Sequence, residues 1–172
     1  MIRANVLGPA AGSAFLSLLG WRIIARGLHP DEEELMLTIL DGANLIFHEA
    51  GHILFLPFGE FFHYLAGSLT QVLIPALCVI HFRRQAQNVA AMIALSWTGQ
   101  SLTNVAIYAA DAQRMDLPLI GGDHDWNYLL TRLNLLNQAD MLGLAMFSGG
   151  ILVIVIAVVG LSVMAISRRR QS

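Results

Sequence analysis

The sequence has no lysine, only one cysteine and few charged side chains, and each shortage excludes a class of protein. With Cys78 alone, neither a disulfide framework nor a cysteine-rich metal site can form. Charged residues make up 13% of the 172 residues and hydrophobic residues 56%. Because soluble domains carry about 25% charged residues, the chain is predicted to be an integral membrane protein. Its net charge of −2 argues against nucleic acid as a partner.

Four apolar stretches each approach the ~20 residues that a helix needs to cross a bilayer. They cover residues 35–58, 60–82, 88–110 and 140–167. The sequence therefore predicts an all-α fold, an integral membrane helical bundle with four core transmembrane helices in one domain, residues 1–172. The apolar N-terminal segment, residues 2–20, is predicted to be a further helix. It either spans the membrane or lies at its interface, and its retention is favoured over cleavage as a signal peptide.

The ten arginines must set the orientation, since arginine favours cytoplasmic loops next to membrane spans. One arrangement places seven of them inside, namely Arg22, Arg26, Arg83, Arg84, Arg168, Arg169 and Arg170. The C-terminus is then cytoplasmic, and residues 111–139 form an external loop with a short helix predicted at 127–137. We expect the functional site to face the outer side of the membrane.

Polar residues within three of these stretches recur at a spacing of three or four, as on one face of a helix. The three stripes are Asp41, Asn44, His48 and His52; Glu60, His63, Gly67 and Gln71; and Trp97, Gln100, Asn104, Tyr108 and Asp111. Polar groups are costly in lipid and usually face a bundle interior. The stripes are therefore predicted to meet around His48 and His52. The last stretch carries Gly149 and Gly150 and few polar groups, which predicts a closely packed scaffold helix.

Residues 48–52 read HEAGH, an HExxH motif inside an apolar stretch. Two imidazoles four residues apart share one helix face and can bind one metal ion, while the intervening glutamate reaches the bound water. Zinc lowers the pKa of such a water to roughly 7. The motif predicts that His48 and His52 bind Zn²⁺ and that Glu49 is the catalytic base. Buried structural histidines and a structural metal site are the alternative interpretations.

A catalytic zinc ion normally has three protein ligands. His124 is the favoured third ligand, because the glycines of the GGDHDW loop at 121–126 let the backbone approach the bundle. Asp123, Asp125 and His63 are the alternatives, either as ligands or as groups that orient an imidazole.

Three amide side chains, Gln71, Gln100 and Asn104, are candidates for contacts with substrate or with a developing oxyanion. Hydrogen bonding between helices, without any part in catalysis, is the favoured interpretation of these residues.

HEAGH in a small multispanning chain resembles the zincin-type membrane metallopeptidases and, in its membrane setting, the site-2-protease class. The resemblance covers mainly residues 35–58 and implies metal binding by His48 and His52 and catalysis by Glu49. That class takes its third ligand from an aspartate in a later Asp-Gly motif, whereas here Asp41 and Gly42 precede HEAGH. The wider pattern is similar to a family of small bacterial membrane proteins, a similarity that implies no particular substrate. It comprises HEAGH, GSLTQ at 67–71, QSLTN at 100–104 and GGDHDWNYLL at 121–130.

The sequence thus favours a zinc-dependent membrane metallopeptidase that cleaves membrane-associated peptides near the outer face. A membrane lipid or amide hydrolase is one alternative, and a non-catalytic metal-binding membrane protein is another. The expected partners are membrane lipids and a membrane-associated peptide or lipid substrate. The oligomeric state is left open.

Overall fold

The computed structural model describes residues 4–28, 35–119 and 123–170, and every regular element in these ranges is a helix. The α-helices are α1 (Ala4–Arg26), α2 (Leu35–Phe55), α3 (Glu60–Arg84), α4 (Asn88–Asp111), α5 (Asp125–Arg132) and α6 (Ala139–Arg170). Short 3-10 turns lie at Leu56–Phe58 and Leu136–Gln138. The predicted all-α fold is confirmed over this part of the chain. Ile2 and Arg3 of the N-terminal segment, and Gly121 and Gly122 of the loop, lie outside the described residues.

Three described helices are long and apolar enough to cross a membrane, and they comprise Leu7–Arg26, Glu60–Arg84 and Leu136–Arg170. They include two of the predicted core spans, 60–82 and 140–167, and much of the N-terminal segment. The other two predicted spans, α2 and α4, are helices but do not reach this hydropathy. Their interior polar residues, such as Asn44 and Gln100, lower the mean hydropathy. The three helices that are long and apolar enough to span a bilayer indicate a membrane protein.

The chain reverses direction between α2 and α3 at Pro57 and Gly59. Gly59 has φ 95° and ψ 165°, a backbone conformation that only glycine adopts readily. The two helices then approach closely, and a Cβ on Gly51 of α2 would clash with the carbonyl oxygen of Ala66 of α3. This contact holds the HEAGH turn directly against α3.

The long helix α6 packs against α4 and α1. Gly99 of α4 and Gly150 of α6 lie face to face, because a Cβ on Gly150 would stand 2.7 Å from the carbonyl oxygen of Gly99. The predicted close packing is confirmed at Gly150. Gly149 is less crowded, since a Cβ there would meet Leu102 at an ordinary 3.7 Å. α6 thus supports α4 from the side away from the HEAGH motif.

The predicted meeting of the three polar stripes is confirmed in the bundle interior. Asn44 of α2 donates to Gln100 of α4 at 2.8 Å, and Gln71 of α3 donates to Asn104 of α4 at 2.7 Å. His48 of α2 lies 3.3 Å from Gln71. The three helices therefore share one polar interior, with HEAGH in contact with it.

Candidate metal centre

The HEAGH turn places the rings of His48 and His52 in edge-to-face contact, with 4.7 Å between their centroids. His48 Nδ1 lies 3.3 Å from Gln71 Oε1, and His52 Nδ1 lies 2.8 Å from the carbonyl oxygen of His63. Both partners are oxygen acceptors, so both Nδ1 atoms carry the hydrogen and donate it. Each neutral ring then keeps a free lone pair on Nε2. Metal-binding histidines are typically oriented by such a hydrogen bond from the other ring nitrogen.

Both Nε2 atoms face the same carboxylate oxygen. Asp125 Oδ2 lies 2.8 Å from His48 Nε2 and 3.2 Å from His52 Nε2. Lone pairs on nitrogen repel a carboxylate oxygen unless a proton or a metal ion lies between them. In a tetrahedral zinc site with bonds of about 2.0–2.2 Å, ligand atoms stand about 3.3–3.6 Å apart. The three atoms, all within 4.8 Å of one another, therefore need only a small displacement to hold a metal ion.

Asp125 is the first residue of α5 and is buried. Burial raises the pKa of its carboxyl group, but in the metal-free protein protons on the Nε2 atoms of His48 and His52 form hydrogen bonds to it, outweigh burial and hold that pKa below its ordinary value. The carboxylate is therefore ionised at neutral pH, as a metal ligand must be. Imidazole and carboxylate together suit several divalent transition metals.

His124 lies beside this donor set but is not part of it. Its Nδ1 accepts the backbone N–H of Asn127 at 3.2 Å, which makes His124 the N-cap of α5. Its Nε2 lies 3.4 Å from Asp111 Oδ2, and its ring stacks on Tyr108 at 4.2 Å between centroids. Burial lowers the pKa of the His124 imidazole, against the opposing effect of Asp111. Of the loop residues considered from the sequence, Asp125 is the one that lies at the imidazoles.

The backbone at the start of α5 explains why Asp125, and not His124, approaches the two imidazoles. His124 is extended, with φ −100° and ψ 104°, whereas Asp125 is already helical. This change of conformation turns neighbouring side chains in different directions. His124 therefore points to the end of α4, and Asp125 points to α2.

Three hydrogen bonds from α5 dock it against α3 and the end of α4. Trp126 Nε1 donates to Ser68 Oγ at 3.0 Å, and Tyr128 donates its hydroxyl hydrogen to Glu60 Oε2 at 2.9 Å. Asn127 Nδ2 donates to the carbonyl oxygen of Ala112 at 2.8 Å. From the sequence, Trp126 is interpreted as an interface or core residue, and its hydrogen bond to Ser68 was not predicted. These bonds fix the position of Asp125.

Gly67 of α3 lies against the two imidazoles. A Cβ on Gly67 would stand 2.6 Å from His52 Nε2 and 2.7 Å from His48 Nε2. The absence of a side chain at this position therefore creates the space in front of both Nε2 atoms. Gly67 belongs to a predicted polar stripe, but no role was predicted for it. Its spacing of four residues from Gln71 indicated that it lies on the same helix face.

The remaining candidates divide into those at the site and those away from it. Gln71 and Asn104 line the same cavity as the two histidines, and so does His63. Asp123 is exposed and accepts a hydrogen bond from the Tyr64 hydroxyl at 3.1 Å. Gln100 instead donates to Asp41 Oδ1 at 2.8 Å, next to the Arg26–Asp41 ion pair. Gln100 is thus part of a buried structural network rather than of the candidate metal centre.

A cavity of about 870 Å³ opens onto the donor set. Glu49 lines it, and so do His48, His52 and Asp125. The cavity extends along α2 to Arg26 and Asp41. No family model, no curated protein and no solved structure matches the chain. What the protein does is therefore inferred from its motif and its site.

Proposed function

We propose that the protein is a zinc-dependent hydrolase embedded in the membrane, a metallopeptidase that cleaves membrane-associated peptides near the outer face. The observation that carries this proposal is the convergence of His48 Nε2, His52 Nε2 and Asp125 Oδ2 on a cavity that Glu49 also lines. Three protein ligands leave one position of a tetrahedral metal ion for water, as in catalytic zinc sites. Two neutral imidazoles and one carboxylate leave a divalent ion with a net positive charge.

Each residue of the site then has a defined task. A zinc ion held by His48, His52 and Asp125 would supply Lewis acidity that activates the attacking water. Glu49 accepts a proton from the attacking water and delivers it to the leaving nitrogen of the substrate. Gln71 and the carbonyl oxygen of His63 hold the two imidazoles with their Nε2 atoms towards Asp125. The order of events follows from general acid–base catalysis at an HExxH site.

The type of third ligand supports a peptidase. In the site-2-protease class, which the HEAGH helix resembles, an aspartate from a later segment completes the metal site. Asp125 follows the HEAGH helix and approaches both histidines. It departs from the pattern of that class in one respect, because Trp126 rather than glycine comes next.

We also propose that α2 and α4 cross the membrane together with the three more apolar helices. The outer side of α2 exposes Ile39, Ile46 and Ile53 by 65, 70 and 77%. Such an apolar stripe suits contact with lipid and is unfavourable in water. The arginines 168–170 at the end of α6 support a cytoplasmic C-terminus by the positive-inside rule. Asp125 then faces the periplasmic side of a bacterial inner membrane.

Metal content and cleavage, measured on detergent-purified protein, test the proposal. Plasma mass spectrometry should find about one zinc per chain in the wild type. The zinc should be lost in His48→Ala and His52→Ala and kept in Glu49→Gln. Cleavage of a reconstituted model transmembrane peptide should be lost in Glu49→Gln. Asp123→Asn is a matched control, since it removes an exposed carboxylate two positions before Asp125.

The other outcomes separate the alternatives. A wild-type protein without stoichiometric metal after reloading would overturn the hydrolase proposal. Zinc-loaded Glu49→Gln protein with unchanged cellular activity would indicate a non-catalytic metal-binding protein. Cleavage of a lipid amide, with no cleavage of peptides, would replace the peptidase by a lipid hydrolase.

A further inference from the structure

α4 contacts the His124 ring on two sides, although His124 is not one of the three donor residues. The ring stacks on that of Tyr108, with 4.2 Å between centroids and an interplanar angle of 13°. His124 Nε2 lies 3.4 Å from Asp111 Oδ2, and Asp111 comes three residues after Tyr108 on the same face of α4. The His124 side chain is only 1% exposed. α4 therefore holds both the face and the edge of this ring.

The hydrogen bond at the other ring nitrogen assigns the tautomer of His124. Nδ1 accepts the backbone N–H of Asn127 at 3.2 Å, so Nδ1 carries the lone pair. A neutral imidazole has only one such lone pair, and burial favours the neutral ring because it lowers the pKa of His124. Nε2 therefore carries the hydrogen and cannot bind a metal ion. Among the described residues Nε2 makes no regular hydrogen bond, so its interaction is the contact with the Asp111 carboxylate.

Asp111 has a fixed position at the C-terminal end of α4. Its Oδ1 accepts the backbone N–H of Asp116 at 3.1 Å, and its Oδ2 accepts that of Leu117 at 3.0 Å. The end of α4 also packs closely on α6, since a Cβ on Gly143 would stand 2.6 Å from Ala110 Cβ. The Asp111 carboxylate is therefore anchored to the scaffold of the bundle.

We propose that Asp111 and His124 are a positioning pair that sets the distance of Asp125 from the two imidazoles. The pair rests on the proposed function and extends it to residues outside the donor set. His124 directly precedes Asp125 and caps α5, so a displacement of its ring moves the start of that helix. Groups that orient metal ligands change metal affinity by about 10–100-fold. The pair therefore acts on zinc affinity through Asp125.

Two substitutions of His124 separate positioning from helix capping. His124→Asn keeps an N-cap acceptor but removes the N–H that faces Asp111. Zinc affinity should then fall about tenfold, with little change in the unfolding temperature. His124→Gln extends an amide N–H towards Asp111 but is a poor N-cap residue. Its unfolding temperature should fall, while its zinc affinity should stay near that of the wild type.

A double-mutant cycle and a spectroscopic readout test whether the two residues act together. Chelator competition should show that the double variant, with His124→Asn and Asp111→Asn, loses no more zinc affinity than the weaker-binding single variant. The visible spectrum of Co²⁺-loaded protein reports the geometry of the donor set, and it should change in both single variants. Gly150→Ala is the control, because it destabilises the bundle away from the site and should leave the spectrum unchanged.

The outcomes are distinguishable from those of the proposed function. Additive losses in the double variant, or wild-type zinc affinity in His124→Asn, would overturn the positioning pair and leave the metal centre intact. An unchanged Co²⁺ spectrum in both single variants would also overturn it. A wild-type protein that binds no zinc would overturn both proposals together.

Discussion

A Cβ added to Gly67 would stand 2.6 Å from His52 Nε2, and this nitrogen is the atom that faces Asp125. A helix residue with any side chain would occupy the space in front of this nitrogen. Helices normally favour alanine over glycine by about 1 kcal/mol. Glycine here therefore lowers intrinsic helix stability and keeps the donor atoms accessible.

Gly67→Ala is expected to weaken zinc binding by at least tenfold, because the new methyl group displaces one or both imidazoles from Asp125. Competition with a chromogenic chelator measures the affinity. Gly42→Ala is the control, since a Cβ on Gly42 of α2 meets nothing within 4 Å. Equal zinc affinity in the two variants would contradict the placement of Gly67 against the donor atoms.

The two buried glutamines should differ in what their loss affects. Gln71→Met removes the acceptor that orients His48 and should lower zinc affinity by about 10–100-fold. Gln100→Met removes the acceptor of the Asn44 side-chain N–H and one of the donors to Asp41, which should cost about 1–3 kcal/mol of stability with zinc affinity unchanged. Thermal unfolding and chelator competition on both proteins separate the effects. A loss of zinc affinity of similar size in both variants would count against a specific role for Gln71.

Asp125 and His124 are adjacent in sequence but should respond differently to substitution. Asp125→Ala removes the carboxylate that approaches both imidazoles, so stoichiometric zinc binding should be lost. His124→Asn keeps a good N-cap residue for α5, so zinc should still bind at saturating concentration. Metal content after reloading and dialysis measures both. Loss of zinc in His124→Asn with retention in Asp125→Ala would restore His124 as the ligand.

Neighbouring glycines on α6 provide a test of the scaffold. A Cβ on Gly150 would meet Thr103 Cγ2 at 2.6 Å, whereas a Cβ on Gly149 has only ordinary contact with Leu102. Gly150→Ala should therefore destabilise the bundle by about 1–3 kcal/mol through overpacking. Gly149→Ala should leave stability unchanged or raise it. Thermal unfolding in detergent measures the difference, and equal stability of the two variants would show that α4 and α6 can separate at little cost.

The helices and their inward faces could be predicted from the sequence because both depend on local periodicity. Apolar stretches gave the approximate positions of α3 and α6. The spacing of Asn44 and His48 was enough to place them on one interior face. These features require no knowledge of how distant segments meet.

The approach of Asp125 rather than His124 to the two imidazoles could not be predicted, because it depends on the backbone conformation at the start of α5. His124 and Asp125 both offer metal-binding atoms, and only the extended backbone at His124 decides which one turns to α2. The different contacts of Gln71 and Gln100 could not be predicted for a related reason. Both are buried glutamines with helical spacing from other polar groups, but Gln71 meets His48 and Gln100 meets Asp41. That difference is set by how α3 and α4 are packed against α2.

His52 and His63 exchange hydrogen bonds across the turn between α2 and α3, each ring donating to the other's backbone carbonyl oxygen. Any separation of the two helices would break both bonds and release the His52 ring from its orientation. The hairpin of α2 and α3 therefore forms a rigid side of the cavity. Under the proposed function, a substrate would have to enter the cavity on a side other than this hairpin.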